Sequence, residues 1–249
     1  NSFRKVFPLF PFLLSPFFFL ISNMKFLTLL FSLLPCLLFA QTYPSVSPTM
    51  HIINEDGVEE EVTEYDGDAP LKAFFRANAK DVGDYQPVFE WTLTKAGETE
   101  PMIKRYAEEM DYEFLQTGTF FIELRTTFIQ GTDTLDFAMD TPFSVTITES
   151  KLEVPNAFSP NGDGMNDVLK VKEGYRSIVS FSAAVFTRWG KKVYEWTDLD
   201  GGWDGRMGGS YAPDGAYFLK IDARGADGRK YEIRKTITLL KGYKEDTTN

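Results

Sequence analysis

The chain has 249 residues, a quarter of them charged, and a formal net charge of −10. An acidic balance speaks against nucleic acid, whose binding is dominated by cationic contacts to phosphate. One histidine and one cysteine leave no basis for a histidine metal cluster or a disulfide framework.

Residues 1–23 form an apolar run after Arg4-Lys5, interrupted by Pro8, Pro11 and Pro16. Prolines at that density make a poor spanning helix, and the segment reads as an upstream or non-native extension ahead of Met24. Residues 24–40 have a positive start (Lys25), an apolar stretch from Phe26, and small Ala40 before polar Gln41-Thr42. That is the pattern of a secretory signal peptide, with cleavage expected after Ala40. Cys36 falls inside it, so the remaining chain carries no thiol. The expected route is Sec export into the periplasm, with no permanent membrane span.

The remainder divides by charge. Residues 41–150 hold 7 basic and 22 acidic side chains, a net of −15, whereas residues 151–249 hold 16 and 14, a net of +2. Two units with different surfaces are implied. Between them lies Val154–Asp167 (VPNAFSPNGDGMND), dense in proline, glycine, asparagine and aspartate, which reads as the junction opening the second unit.

In the first unit, 45–150, short β-type runs are predicted at 50–54, 71–77, 87–94, 102–106, 119–128, 134–138 and 143–148. They are separated by turn clusters such as Asp66-Gly67-Asp68 and Gln130-Gly131-Thr132-Asp133. Alternation places Phe89, Trp91 and Leu93 on one buried face. The one helical alternative spans Ile103 to Leu115, where Lys104, Arg105, Glu108 and Glu109 have pairing spacings. The acidic runs Glu59-Glu60-Glu61 and Glu108-Glu109-x-Asp111-x-Glu113 read as solvated faces. Gly67-x-Ala69-Pro70-Leu71, Phe89-Glu90-Trp91 and Gly118-Thr119-Phe120-Phe121-Ile122-x-Leu124 together resemble the PKD/Ig-like modules of secreted bacterial proteins. The glycine-rich loop that follows the tryptophan in PKD domains is replaced here by Thr92-Leu93-Thr94, so the broader Ig-like label fits better.

In the second unit, 152–241, strands are predicted at 168–171, 177–186, 192–196, 216–223 and 231–240. Asp-Gly turns at 204–205, 214–215 and 227–228 imply tight hairpins. The predicted fold is therefore all-β, with two consecutive Ig-like β-sandwich domains after a signal peptide and a polar tail at 242–249.

A second resemblance rests on several motifs in order. They are Pro155-Asn156-Ala157-Phe158-Ser159-Pro160-Asn161-Gly162-Asp163-Gly164-x-Asn166-Asp167, Val185-Phe186-x-Arg188-Trp189-Gly190, Val193-Tyr194, Trp203-Asp204-Gly205, Pro213-Asp214-Gly215-x-Tyr217 and Thr236-Ile237-Thr238-Leu239-Leu240. Residues 152–241 resemble the gliding-motility-associated C-terminal domain of Bacteroidetes, the type B sorting domain of the type IX secretion system. The resemblance implies a secreted or cell-surface protein that engages the type IX secretion machinery and an outer-membrane partner.

Asn161, Asp163 and Asp167 form a candidate calcium loop, since oxygens alternate along a glycine-bent segment. Position 12 of an EF-hand register falls on Lys170 rather than glutamate, so an Asx-stabilised turn is the competing reading. Trp189, Trp196 and Trp203 with Tyr194, Tyr211 and Tyr217 form either a sugar-binding strip or core and turn packing, and Arg188 is placed to stack on Trp189. His51 reads as a strand residue, and no nucleophile-elbow motif accompanies it. The functional expectation is a non-enzymatic exported protein, without a cofactor, whose first domain serves adhesion or protein interaction. The alternative is a secreted carbohydrate-binding or carbohydrate-active protein acting on an extracellular glycan.

Overall fold

The computed structural model describes residues 42–54 and 56–242. The extension at 1–23, the signal peptide at 24–40 and the tail beyond Gly242 lie outside the described residues. Among the described residues every regular element is a strand, and none is a helix long and apolar enough to cross a membrane.

The first unit contains β1 (Ser45–Val46), β2 (Thr49–Ile53), β3 (Glu59–Val62), β4 (Glu64–Gly67), β5 (Leu71–Arg76), β6 (Ala79–Lys80), β7 (Gln86–Lys95), β8 (Ile103–Arg105), β9 (Glu109–Phe114), β10 (Gly118–Gln130), β11 (Asp133–Ala138) and β12 (Phe143–Ile147). A four-stranded sheet, β3-β2-β5-β9, packs against a larger one, β4-β12-β10-β7-β8, to which β11 is added beside β10. The alternation read in the sequence sets the faces. Trp91 and Leu93 of β7 and Ile122 and Leu124 of β10 are fully buried, and they meet Phe75 and Phe114 of the opposing sheet. Phe75 lies 5.8 Å from Trp91 between ring centroids, and Phe114 lies 5.2 Å from Phe120.

The segment 103–115 is not a helix. It forms β8 and β9, which belong to different sheets. In β9, Met110 and Phe114 are buried and Tyr112 half-buried, while Glu109, Asp111 and Glu113 face solvent, so the local period is two. The acidic run at 59–61 is likewise exposed, but as an edge strand pairing antiparallel with β2. Charged residues on both outer strands, β3 and β9, protect the free edges of that sheet from further strand addition.

The second unit contains β13 (Ala157–Phe158), β14 (Leu169–Lys170), β15 (Ile178–Phe186), β16 (Lys192–Trp196), β17 (Gly202–Trp203), β18 (Arg206–Met207), β19 (Ser210–Tyr211), β20 (Gly215–Gly225) and β21 (Lys230–Leu239). Five strands, β13-β21-β20-β15-β16, make one sheet. The short ladders β14-β17 and β18-β19 contribute to the layer over it. Trp203 is fully buried there, 5.3 Å from Phe158 and 5.0 Å from Tyr217 between ring centroids. Its indole Nε1–H donates to Arg206 O at 2.7 Å. Gly205, at φ +79°, sits so close to Pro160 that a Cβ would lie 2.8 Å from that ring. The Trp-Asp-Gly motif thus clamps the start of the unit onto its core.

The two units pack at the end where β20 and β21 turn around. Ala226 belongs to the first unit's core, and Val179 packs against that core. Thr117 donates its amide to Ala226 O at 3.1 Å. Two polar clusters flank the connection. In one, Ser177 Oγ accepts the Ala69 amide at 3.2 Å and lies 3.0 Å from Thr148 Oγ1, which donates to Asp68. In the other, Ser150 Oγ donates to Asp227 Oδ1 at 2.8 Å and lies 2.8 Å from Tyr231 Oη. Ser177 has φ 48° and is 2% exposed, an uncommon backbone state for a non-glycine residue that this network holds. Val154–Asp167 is therefore not the point of contact between the units. The chain runs from Leu152 alongside β21, pairing parallel with it at Ala157 and Phe158, and delivers the glycine-rich loop to the opposite end.

Candidate functional site

The far end of the second unit gathers loops from five places in the chain. Ser159–Asp167 lies beside Leu240, with Ser159 Oγ donating to Leu240 O at 2.7 Å. The β15–β16 hairpin, the β18–β19 hairpin, the Pro213-Asp214-Gly215 turn and Lys241 complete the tip. Lys241 Nζ lies 3.6 Å from Asp214 Oδ1, which also accepts the Lys241 amide at 3.3 Å.

The three predicted loop residues come together as a hydrogen-bonded turn. Asp167 Oδ1 accepts the amides of Asn161 and Gly162 at 2.8 and 2.7 Å, and Oδ2 accepts that of Gly164 at 2.8 Å. Asn161 Oδ1 accepts the Asp163 amide at 2.9 Å. Asp163 Oδ1 accepts the Met165 amide at 2.8 Å, and its Oδ2 accepts from Asn161 Nδ2 at 2.7 Å. Gly162, Gly164 and Asn166 all have positive φ, which orients successive N–H groups toward the Asp167 carboxylate, the nest geometry of an anion-holding loop. Those amide bonds, led by Gly162 and Gly164, lower the Asp167 pKa below the ordinary aspartate range. Lys170, the position-12 residue, lies in β14 with its ammonium 3.8 Å from Glu173. Among the described residues no group of three or more His, Cys, Asp or Glu side chains is arranged to hold a metal ion.

The aromatic residues separate into two sets. Trp203, Trp196 and Tyr217 are buried, and burial followed by the nearby Asp214 charge raises the Tyr217 pKa. Trp189, Tyr211 and Tyr194 are exposed, so the six do not form one continuous strip. The Arg188 guanidinium lies 4.2 Å from the Trp189 ring centroid, and Arg206 lies 4.8 Å from that of Tyr211. A groove of about 240 Å³ runs between Trp189, Met207, Pro213 and Tyr217.

His51 sits in β2, its Nε2 3.0 Å from Thr49 Oγ1 and its Nδ1 3.3 Å from Glu59, which also pairs with Arg76 at 2.7 Å. Two features escaped the sequence reading. One is the Ser150–Asp227–Tyr231 cluster, whose members lie 77 and 81 positions apart. The other is the groove, to which the only pointer in the sequence is the Arg188-Trp189 pair.

The fold and the tip define a two-domain β-sandwich protein whose distinctive motifs belong to its second domain. Residues 152–239 match the family model described as the CHU_C type IX secretion signal domain. That match coincides with the second sandwich, and it places a type IX export signal at the C-terminal side of the chain. A signal of that kind implies export to the cell surface or the medium by the type IX machinery. No curated protein matches the chain. Among solved structures it is similar to dimeric latent PorU from Porphyromonas gingivalis, with 11% identity and a TM-score of 0.26, over 81% of this chain and 20% of that one. The chain thus spans a fifth of that protein's length.

Proposed function

We propose that this is an exported, non-enzymatic protein whose first sandwich acts in adhesion or protein interaction outside the cell, presented there by the type IX signal. The observation that carries the reading is the signal domain at 152–239, joined to a first sandwich built around a separate core cluster. The carboxylates of the first sandwich that suggested glycan hydrolysis lie on outer strands facing solvent, rather than paired across a cleft as hydrolysis requires. An outer-membrane partner retains the exported chain at the surface, and the Sec signal peptide delivers it to the periplasm first.

The full chain expressed in a bacterium with a functional type IX system tests this. Protease added to intact cells, together with assay of the medium, locates the chain, and mass spectrometry of its N-terminus reads the cleavage after Ala40. The purified protein is then screened for adhesion to protein-coated surfaces, for binding on a glycan array and for glycan hydrolysis. Adhesion without hydrolysis is expected. Turnover of any glycan overturns the non-enzymatic reading, and selective glycan binding without adhesion to protein favours the carbohydrate-binding alternative.

A further inference from the structure

Parts of the second sandwich's surface are already engaged. Its base is occupied by the first unit through Ala226, Val179 and the Ser150–Asp227–Tyr231 cluster. On the outer face of its sheet Lys220 and Arg234 share Asp222, and Lys192 pairs with Glu195, while Arg224, Lys230 and Glu232 line an open, polar surface without an apolar groove. The tip differs. Trp189 is 78% exposed on a turn closed by the Gly190 amide to Thr187 O at 2.9 Å. It walls the groove whose other apolar residues are Met207, Pro213, Ala216 and Tyr217. Asp214, on the rim, is already paired with Lys241. Arg188 and Lys191 have no carboxylate partner among the described residues. The groove is thus lined mainly by apolar groups, with the Arg188 guanidinium at its wall and Lys191 on the same Thr187–Lys191 turn. An exposed tryptophan beside arginine is the composition that dominates interface energetics, and unpaired cations around an apolar groove complement an acidic partner.

We propose that this tip is the face by which the type IX machinery reads the signal domain. Its occupant is an extended acidic segment of a machinery protein that seats an apolar side chain in the groove between Trp189, Met207 and Tyr217. The proposal rests on the assignment of residues 152–239 as a type IX signal.

The test uses the full chain in a type IX-competent bacterium. The parent is compared with Trp189→Ala, Arg188→Glu, Lys191→Glu and the control Tyr106→Ala, an exposed aromatic of the first sandwich. The parent is also expressed in a strain lacking the machinery. The readout is the exported fraction, with the thermal midpoint of each purified variant confirming its fold. Machinery-dependent export of the parent is expected, falling at least about tenfold in Trp189→Ala and in the two charge reversals, with Tyr106→Ala unchanged. Export of the parent without the machinery overturns the signal assignment itself. Machinery-dependent export of the parent with all three tip variants exported normally overturns the tip proposal alone. A photoreactive residue at position 189 should give an adduct to a machinery protein that disappears in the deficient strain, whereas adducts confined to lipopolysaccharide overturn a protein occupant.

Discussion

Gly225→Ala is expected to loosen the contact between the two sandwiches. Gly225 ends β20 where Ser150 crosses it. An added Cβ would overlap the Ser150 side chain and lie 2.5 Å from Asp227 Oδ1, closer than real Cβ contacts come. Ser150 is 4% exposed, and it is held by Asp227 at 2.8 Å and by Tyr231 at 2.8 Å, so it cannot swing into solvent without abandoning both. Overpacking of this kind costs about 1–3 kcal/mol, and loss of the buried hydroxyl's hydrogen bond adds about 1 kcal/mol. A total near 3 kcal/mol corresponds to a fall of about 6–12 °C in Tm for a protein of this size. Calorimetry of the chain measures it. Ser150→Gly removes the obstructing atoms, so in the Gly225→Ala background it should restore a large part of the loss, although alone it destabilises. A drop under about 1 °C in Gly225→Ala, or an additive double variant with no rescue, would refute the claim that close approach of Ser150 is what requires glycine at 225.

Trp91→Ala empties the centre of the first core, where Phe75 packs against it at 5.8 Å, and should cost about 3–5 kcal/mol by urea denaturation, with no change in m-value. Asp167→Asn tests the amide-bonded turn by pH. The folded pKa is lowered, so the turn's contribution is present above the unfolded value of about 4 and lost as pH falls through the lower folded value. The Tm difference between parent and variant should therefore be largest near neutrality and shrink in acid. Calcium added at millimolar concentration, against a chelator, should leave Tm unchanged, because both Asp167 oxygens already accept amides. A calcium-dependent rise of several degrees would show that the loop reorganises around the ion.

How much of this molecule the sequence shows depends on how far apart the cooperating residues lie. Wherever the hydrophobic period expresses itself within one strand, as at Phe89, Trp91 and Leu93 or at Tyr217, Leu219 and Ile221, the buried face was readable and is observed. Where charged residues occupy an edge strand, as at Glu59–Val62, no alternation of buried and exposed positions marks it, and its sequence reads like an exposed loop. The region 103–115 is ambiguous for another reason: Lys104 and Arg105 stand four residues before Glu108 and Glu109, a helical pairing distance, although the two bases lie in β8 and Glu109 lies in β9. In the glycine-rich loop, residue types suitable for a cation are equally suitable for capping backbone amides, and only the direction of the oxygens distinguishes them. At 161–167 those oxygens turn inward to the chain's own N–H groups. Least legible are features made by tertiary proximity alone. Ser150, Gly225, Asp227 and Tyr231 have no local pattern, and the same holds for the groove, to which the 187–189, 207 and 213–217 segments each bring one part. A folded chain of this architecture therefore separates its tasks along the β20–β21 direction. One end is taken up by the first sandwich, while the opposite tip presents an exposed tryptophan with an arginine stacked on it.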